Sequence, residues 1–195
     1  MKLLSRSFYN RDSVIVAKEL LGKIVMRSID GHVLSGMIVE TEAYKYGDKA
    51  SHCYSRKTKR NEALFGPPGH AYIYMIHNKY CFNTVAHDSE TPAGGVLIRA
   101  LQPLQGIELM QKNRNIDTLH ALTNGPGKLT QALEITKKLY GVDITKKGPL
   151  YIIEKETESF EIVTTTRIGI SQEKEKKWRF YIANNSWVSK KIKRK

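Results

Sequence analysis

Apolar positions recur at helical spacing near the start of the chain and then change to alternation. Val16, Ala17, Leu20 and Leu21 share one helix face, Asp12 stands where an N-cap belongs and Gly22 suits the C′ position, so residues 12–21 read as a helix. Two β-rich runs follow, Lys23 to Arg27 and Val33 to Tyr44, joined through Asp30-Gly31, a strong hairpin signal. A polar, basic loop extends from Lys45 to Asn61. The punctuation Gly66-Pro67-Pro68-Gly69 then opens a run from Ala71 to Ile76, and Tyr80 to Ala86 returns beside it as a second hairpin. Gly95 to Leu101 reads as a buried strand. Pro103 fits the first turn of a second helix carrying Leu104, Ile107 and Met110. A third helix follows Gly125-Pro126, with Leu129, Ala132, Leu133 and Leu139 on one face and Gly141 closing it. Strand patterns return at 150–154, 160–165 and 178–182. The order αββ, ββ, β, αα, βββ lacks regular βαβ alternation and predicts an α+β fold on an antiparallel sheet.

Residues of chemical interest sit on these elements. Period-2 geometry puts Glu40, Glu42 and Tyr44 on one face of their strand, with Val39, Thr41 and Ala43 on the other. Pattern alone reads those carboxylates as the solvated side of an antiparallel strand. The hairpin from Tyr72 to Asn83 sets aromatics beside a basic tip, His77-Asn78-Lys79, the combination that base stacking and phosphate neutralisation need. Lys59-Arg60-Asn61 adds further cations. Asn124-Gly125-Pro126-Gly127-Lys128 offers free helix N–H groups and a lysine to a phosphate.

Charge narrows the class of partner. The 195 residues carry 32 basic and 19 acidic side chains, a formal +13 that favours a polyanion. The tail 190–195 holds five of those charges, and removing five from +13 leaves +8 for the rest. The length suits a single domain, residues 1–195, able to bury roughly 70 per cent of its unfolded surface. Cys53 and Cys81 form no CxxC pair and no zinc-type cluster, so neither a metal site nor a disulfide framework is expected. No signal-like or membrane-spanning apolar run occurs, which predicts a soluble intracellular protein with no membrane association.

Seven blocks in order then carry a resemblance: Ile38 through Tyr44; His52 with Thr58 through Asn61; Gly69 through Tyr74; Asn83; Val96 through Leu101; Gly125-Pro126 with Lys128-Leu129 and Gln131 through Leu133; and Arg179 through Tyr181 with Ser186 through Ser189. Together they resemble the 3-methyladenine (alkyladenine) DNA glycosylase family over almost the whole chain. The resemblance implies a curved antiparallel sheet flanked by helices, with a β-hairpin projecting toward DNA.

It also implies a base-excision repair enzyme that flips alkylated or deaminated purines (3-methyladenine, 7-methylguanine, hypoxanthine, ethenoadenine) out of double-stranded DNA and hydrolyses the N-glycosidic bond. Glu42 is then the general base that activates water, with Arg99 beside it. Tyr44 and His52 stack on one face of the base and Tyr74 on the other, while Asn83 at the floor opposes the exocyclic amine of guanine. A backbone N–H at or near His52 is the expected donor to the purine. Arg60, Asn78, Lys79 and Lys128 are the expected backbone contacts. No lysine nucleophile, organic cofactor, metal or obligate protein partner is implied, so a monomeric, monofunctional enzyme of the cytoplasm and nucleoid is expected. One departure stands out. Family members commonly carry a Tyr-Gly pair at the hairpin tip, the Tyr filling the gap left by the flipped nucleotide, whereas this tip reads Ile76-His77-Asn78-Lys79-Tyr80 and is one residue shorter. His77, or alternatively Tyr80, is the expected wedge, with weaker retention of the flipped base or a narrower lesion range. The competing reading is a catalytically inert DNA- or RNA-binding module on the same fold.

Overall fold

The structure is a computed structural model describing residues 2–155 and 159–190. The basic tail expected at 190–195 therefore lies, beyond Lys190, outside the described residues. Helices α1 (Arg6–Tyr9), α2 (Ser13–Glu19), α3 (Ile107–Arg114) and α4 (Pro126–Ala132) accompany strands β1 (Ile24–Ile29), β2 (His32–Lys45), β3 (Ala71–Ile76), β4 (Lys79–Val85), β5 (Gly94–Gln105), β6 (Leu150–Ile153), β7 (Ile162–Thr165) and β8 (Arg179–Ile182). The strands form one strongly curled antiparallel sheet along the path β3-β4-β5-β2-β1-β6, with β8 added beside β2 and β7 beside β8. The α+β, antiparallel reading of the sequence holds.

The 14-residue β2 organises this sheet. Its first half pairs with β1, from Ile29↔His32 to Ile24↔Met37, and its second half pairs with β8 through Glu40, Thr41 and Glu42. Its other edge pairs with β5 along nearly the whole length. A bulge interrupts that last ladder, where the register shifts at Glu40 and again at Thr41. Bulges re-aim side chains, and Arg99 lies on β5 at this one.

Alternation divides the sheet into two working faces. Val39, Ala43, Ile73, Phe82, Val96 and Ile98 point into the main core that α2 and α4 cover, each Val, Ile or Phe among them stabilising the fold by roughly 1.5–3 kcal/mol relative to exposure. Thr41 ties this face to α2, its Oγ1 donating to the Ala17 carbonyl at 2.7 Å. Tyr72 and Tyr74 point the other way, into a second cluster with Cys53, Leu64 and Val85. The carboxylates of β2 share that opposite face and are not solvated, since Glu40 and Glu42 are both fully buried. Alternation placed them on the right face, but the loops that return over it could not be read from β2.

Local chemistry sets the element ends. Asp12 caps α2 by accepting from the Val14 N–H at 2.7 Å, a contact of about 1 kcal/mol, and Gly22 follows at φ +81°. Pro103 does not open a helix. It stays in β5 opposite Gly36, beside a register shift where its missing N–H breaks no regular ladder. The chain turns at Gly106, whose φ of +77° and whose position 2.9 Å from the Val33 carbonyl oxygen for any added Cβ leave glycine the fitting residue. The third helix is also shorter than its apolar face predicts. It ends at Ala132, Glu134 takes φ +49°, and Leu139 is buried from a separate short turn at Lys137–Leu139.

The β3–β4 hairpin closes with His77 at φ +47° and Asn78 at φ +57°, both left-handed as a two-residue type I′ turn requires. Helix α4 braces it: Thr130 Oγ1 donates to the Tyr80 carbonyl at 2.7 Å, and Gly127 lies so close that an added Cβ would meet Lys79 Cβ at 2.8 Å.

Candidate active site

The bulge on β5 turns Arg99 between the two carboxylates of β2. Its Nε donates to Glu40 Oε1 at 3.0 Å and its Nη1 to Glu42 Oε2 at 3.1 Å. Glu40 takes three further donors, Arg179 Nε at 2.7 Å, the Ser189 N–H at 2.6 Å and Ser189 Oγ at 2.9 Å. Four donors thus meet the carboxylate, two of them guanidinium groups on Oε1, as a buried charge requires. Glu42 is held differently. Oε2 accepts from Arg99 and from the Tyr44 hydroxyl at 2.8 Å, and among the described residues Oε1 accepts only from the Ile168 N–H at 2.7 Å. A carboxylate has about four acceptor positions, which leaves one on Oε1 open.

Electrostatics separate the roles of these groups. Burial raises the pKa of Glu42 above the ordinary carboxylate value; Arg99, the Ile168 N–H and the Tyr44 hydroxyl pull it back, and Glu40 pushes it up again. Burial, followed by the Glu42 charge, lifts the Tyr44 phenol well above its usual range, so it remains a donor to Glu42. A raised carboxylate pKa in a cleft is a mark of a proton-accepting group.

Beside Glu42 lies a cavity of about 300 Å³ lined by Tyr44, His52, Tyr74, Asn83 and Arg99, with Ile76 and His77 from the hairpin tip and 168–170 opposite. Glu42 sits directly behind this wall, covered by Tyr44, Arg99 and Ile168. The aromatic residues expected on the two faces of a base are brought together, but they meet. His52 packs edge-on against Tyr74 with centroids 4.6 Å apart, and its Nδ1 lies 2.9 Å from the Tyr72 hydroxyl. Two rings with a flat group stacked between them stand about 7 Å apart, so His52 and Tyr74 leave no such gap in this arrangement. Partial burial first, and Arg60 second, hold the His52 pKa below its ordinary value. Asn83 is buried at the floor, where its Oδ1 has no hydrogen-bond partner among the described residues.

Of the other expected residues, His77 borders the cavity and the rest lie elsewhere on the surface. His77, Asn78, Lys79, Arg60 and Lys128 are exposed. Lys79 Nζ reaches Gln131 Oε1 at 3.4 Å, and Lys128 Nζ reaches Asn124 Oδ1 at 2.7 Å. Tyr80 packs against the main core. The segment 167–170, with Asp48 and Glu40, completes the site and was missed in the sequence. The available signal was Asp48, the sole carboxylate between Lys45 and Asn61.

Comparison with known proteins meets this geometry. The family model for methylpurine-DNA glycosylase matches residues 7–186. The chain belongs to that family. A relative from Carboxydothermus hydrogenoformans, named "Putative 3-methyladenine DNA glycosylase", is 51% identical over 97% of this chain and 100% of its own length. Relatives of the same name from Desulfitobacterium hafniense and Clostridium acetobutylicum are 46% and 48% identical, each over 97% of this chain and 99% and 98% of theirs. The family acts on alkylated bases in DNA. Among the described residues, no helix is long and apolar enough to cross a membrane.

Proposed function

We propose that this methylpurine-DNA glycosylase family member is a monofunctional enzyme that flips alkylated or deaminated purines into the aromatic cavity and hydrolyses their N-glycosidic bond with a water activated by Glu42. The observation that supports this reading is the hold on Glu42: three donors fix the carboxylate, its pKa is raised, and one acceptor position on Oε1 has no donor among the described residues, behind the cavity residues Tyr44, Arg99 and Ile168. Water held there gives its proton to Glu42 as its oxygen attacks the anomeric carbon, and the bonding electrons leave with the base. A purine made cationic by ring alkylation departs neutral. Hypoxanthine departs with difficulty and leans more on the pocket.

Arg99 holds Glu42 ionised and aimed. Tyr44, His52 and Tyr74 supply stacking faces, and a neutral His52 adds no repulsion to a positive base. Asn83 opposes guanine from the floor. His77 fills the vacated stack, with Ile76 beside it, while Arg60, Asn78, Lys79 and Lys128 meet the backbone of duplex DNA. Among the described residues no lysine lines the cavity, which supports release of an abasic site without Schiff-base chemistry. The enzyme works as a single-domain monomer within the cell, on chromosomal DNA, without a metal, cofactor or protein partner.

The test is base release from duplexes carrying 3-methyladenine, hypoxanthine or ethenoadenine. Wild type releases base, and Glu42→Gln slows single-turnover release by about 10²- to 10⁴-fold. Wild type that binds lesion duplex yet releases nothing overturns the enzyme in favour of an inert binding module. Full activity in Glu42→Gln overturns the choice of base, and a borohydride-stable adduct overturns the monofunctional reading.

A further inference from the structure

A second buried ion pair lies behind the cavity, and the hydrolytic reading gives it no task. The Arg167 side chain is fully buried and Asp48 is 1% exposed. Arg167 Nη1 donates to Asp48 Oδ2 and also to the Ala43 carbonyl at 3.1 Å, while Nη2 donates to Asp48 Oδ1 at 3.0 Å. The guanidinium carbon stands 4.7 Å over the Tyr44 ring and 5.2 Å over the Trp178 ring. Sandwiched in this way, Arg167 Nε has no partner among the described residues. Tyr44 lines the cavity and Arg167 does not. The phenol ring is therefore the partition between a guanidinium and the space where a base would stack.

A cation on one face of an aromatic ring draws on the same electron-rich quadrupole that would attract a cation on the other. Left alone, the guanidinium would weaken stacking of a positive purine on Tyr44 and leave a neutral purine little affected. Asp48 cancels that charge at its source. We propose that Asp48 sets the charge preference of the base pocket, neutralising Arg167 behind Tyr44 so that positively charged purines are accepted as well as neutral ones. The inference rests on the glycosylase reading. Both residues act through others and are positioning residues: Arg167 precedes Ile168, whose N–H holds Glu42, and the Asp48 carbonyl accepts from the Ser51 N–H at 2.8 Å in the loop that carries His52.

The experiment compares single-turnover release of cationic 7-methylguanine and neutral hypoxanthine by wild type, Asp48→Asn, Arg167→Gln and the double variant. Asp48→Asn is expected to lower the cationic-to-neutral rate ratio by roughly ten- to thirtyfold, the scale of one unit charge acting across about 8 Å at an effective dielectric constant near 20. The double variant restores the ratio. A uniform fall on both substrates, the ratio unchanged, overturns the inference. Should Asp48→Asn fail to fold, Arg167→Gln must show a higher ratio than the double variant, and equal ratios overturn it. Wild type that releases neither base brings down the glycosylase reading first, an outcome distinct from an unchanged ratio in an active series.

Discussion

Arg99 Nη1 lies 3.1 Å from Glu42 Oε2, a fully buried carboxylate meeting a guanidinium that edges the cavity, and the same guanidinium reaches Glu40 through Nε. One cation thus serves two carboxylates of unequal duty. Glu40 meets four donors, two of them guanidinium groups, whereas Glu42 meets three and retains an open acceptor position.

That asymmetry separates stability from activity. Glu40→Gln leaves Arg99 and Arg179 facing a neutral amide, and the expected loss of folding stability is about 3–5 kcal/mol, the scale for breaking a buried ion pair. Glu42→Gln is expected to lose less stability and far more rate. Urea unfolding of both variants, set beside single-turnover base release, checks the contrast.

The pH profile follows from the raised pKa of Glu42. Water activation needs the carboxylate ionised, so base release falls as pH drops through a value above 4.5, the ordinary position of a glutamate. Arg99→Gln removes the strongest of the interactions that lower that pKa, and the acid limb moves to higher pH. An Arg99→Gln profile with its limb unmoved would contradict this account of Arg99.

The hairpin tip gives a third expectation. Asn78→Gly keeps the left-handed geometry of the turn and leaves stability within about 1 kcal/mol, whereas Asn78→Val forces a β-branched residue to φ +57° and destabilises it. His77→Ala keeps the fold but lowers the flipped fraction of a fluorescent base analogue opposite thymine, and His77→Tyr raises it. Equal flipping in all three proteins would remove His77 from the role of wedge.

The exposed cations should act without regard to sequence. Substituting Arg60, Lys79 or Lys128 by alanine weakens binding to damaged and undamaged duplex alike, and each lowers the slope of log K against log salt by about one. Fluorescence anisotropy at several salt concentrations measures it.

Much of this architecture was legible in local pattern. Asp30-Gly31 marked the first hairpin, and alternation put Glu40, Glu42 and Tyr44 on a face opposite Val39, Thr41 and Ala43. What lay beyond reach depended on distant chain. The carboxylates are buried because β8 and the segments around Ile168 and Ser189 return more than a hundred residues later to cover them, and β2 carries no trace of that in its own spacing. Pro103 was misread because a proline at a bulge and a proline at a helix start look alike until the partner strand is known. Arg167 sits in an undistinguished run, and only its place between Tyr44 and Trp178 gives it meaning. The resemblance supplied roles for Glu42, His52, Tyr74 and Asn83, but not the edge-on contact of His52 with Tyr74.

Along Glu40 to Glu42, β2 is hydrogen-bonded on both edges, to β5 and to β8. Amide hydrogens of strands so enclosed exchange with solvent chiefly through global opening. The backbone of the proposed base should therefore be among the slowest to exchange, while the exposed hairpin tip proposed to meet DNA exchanges fast. On heating, the hydrolytic centre would keep its shape until the whole molecule melts, and loss of lesion capture at the rim would precede it.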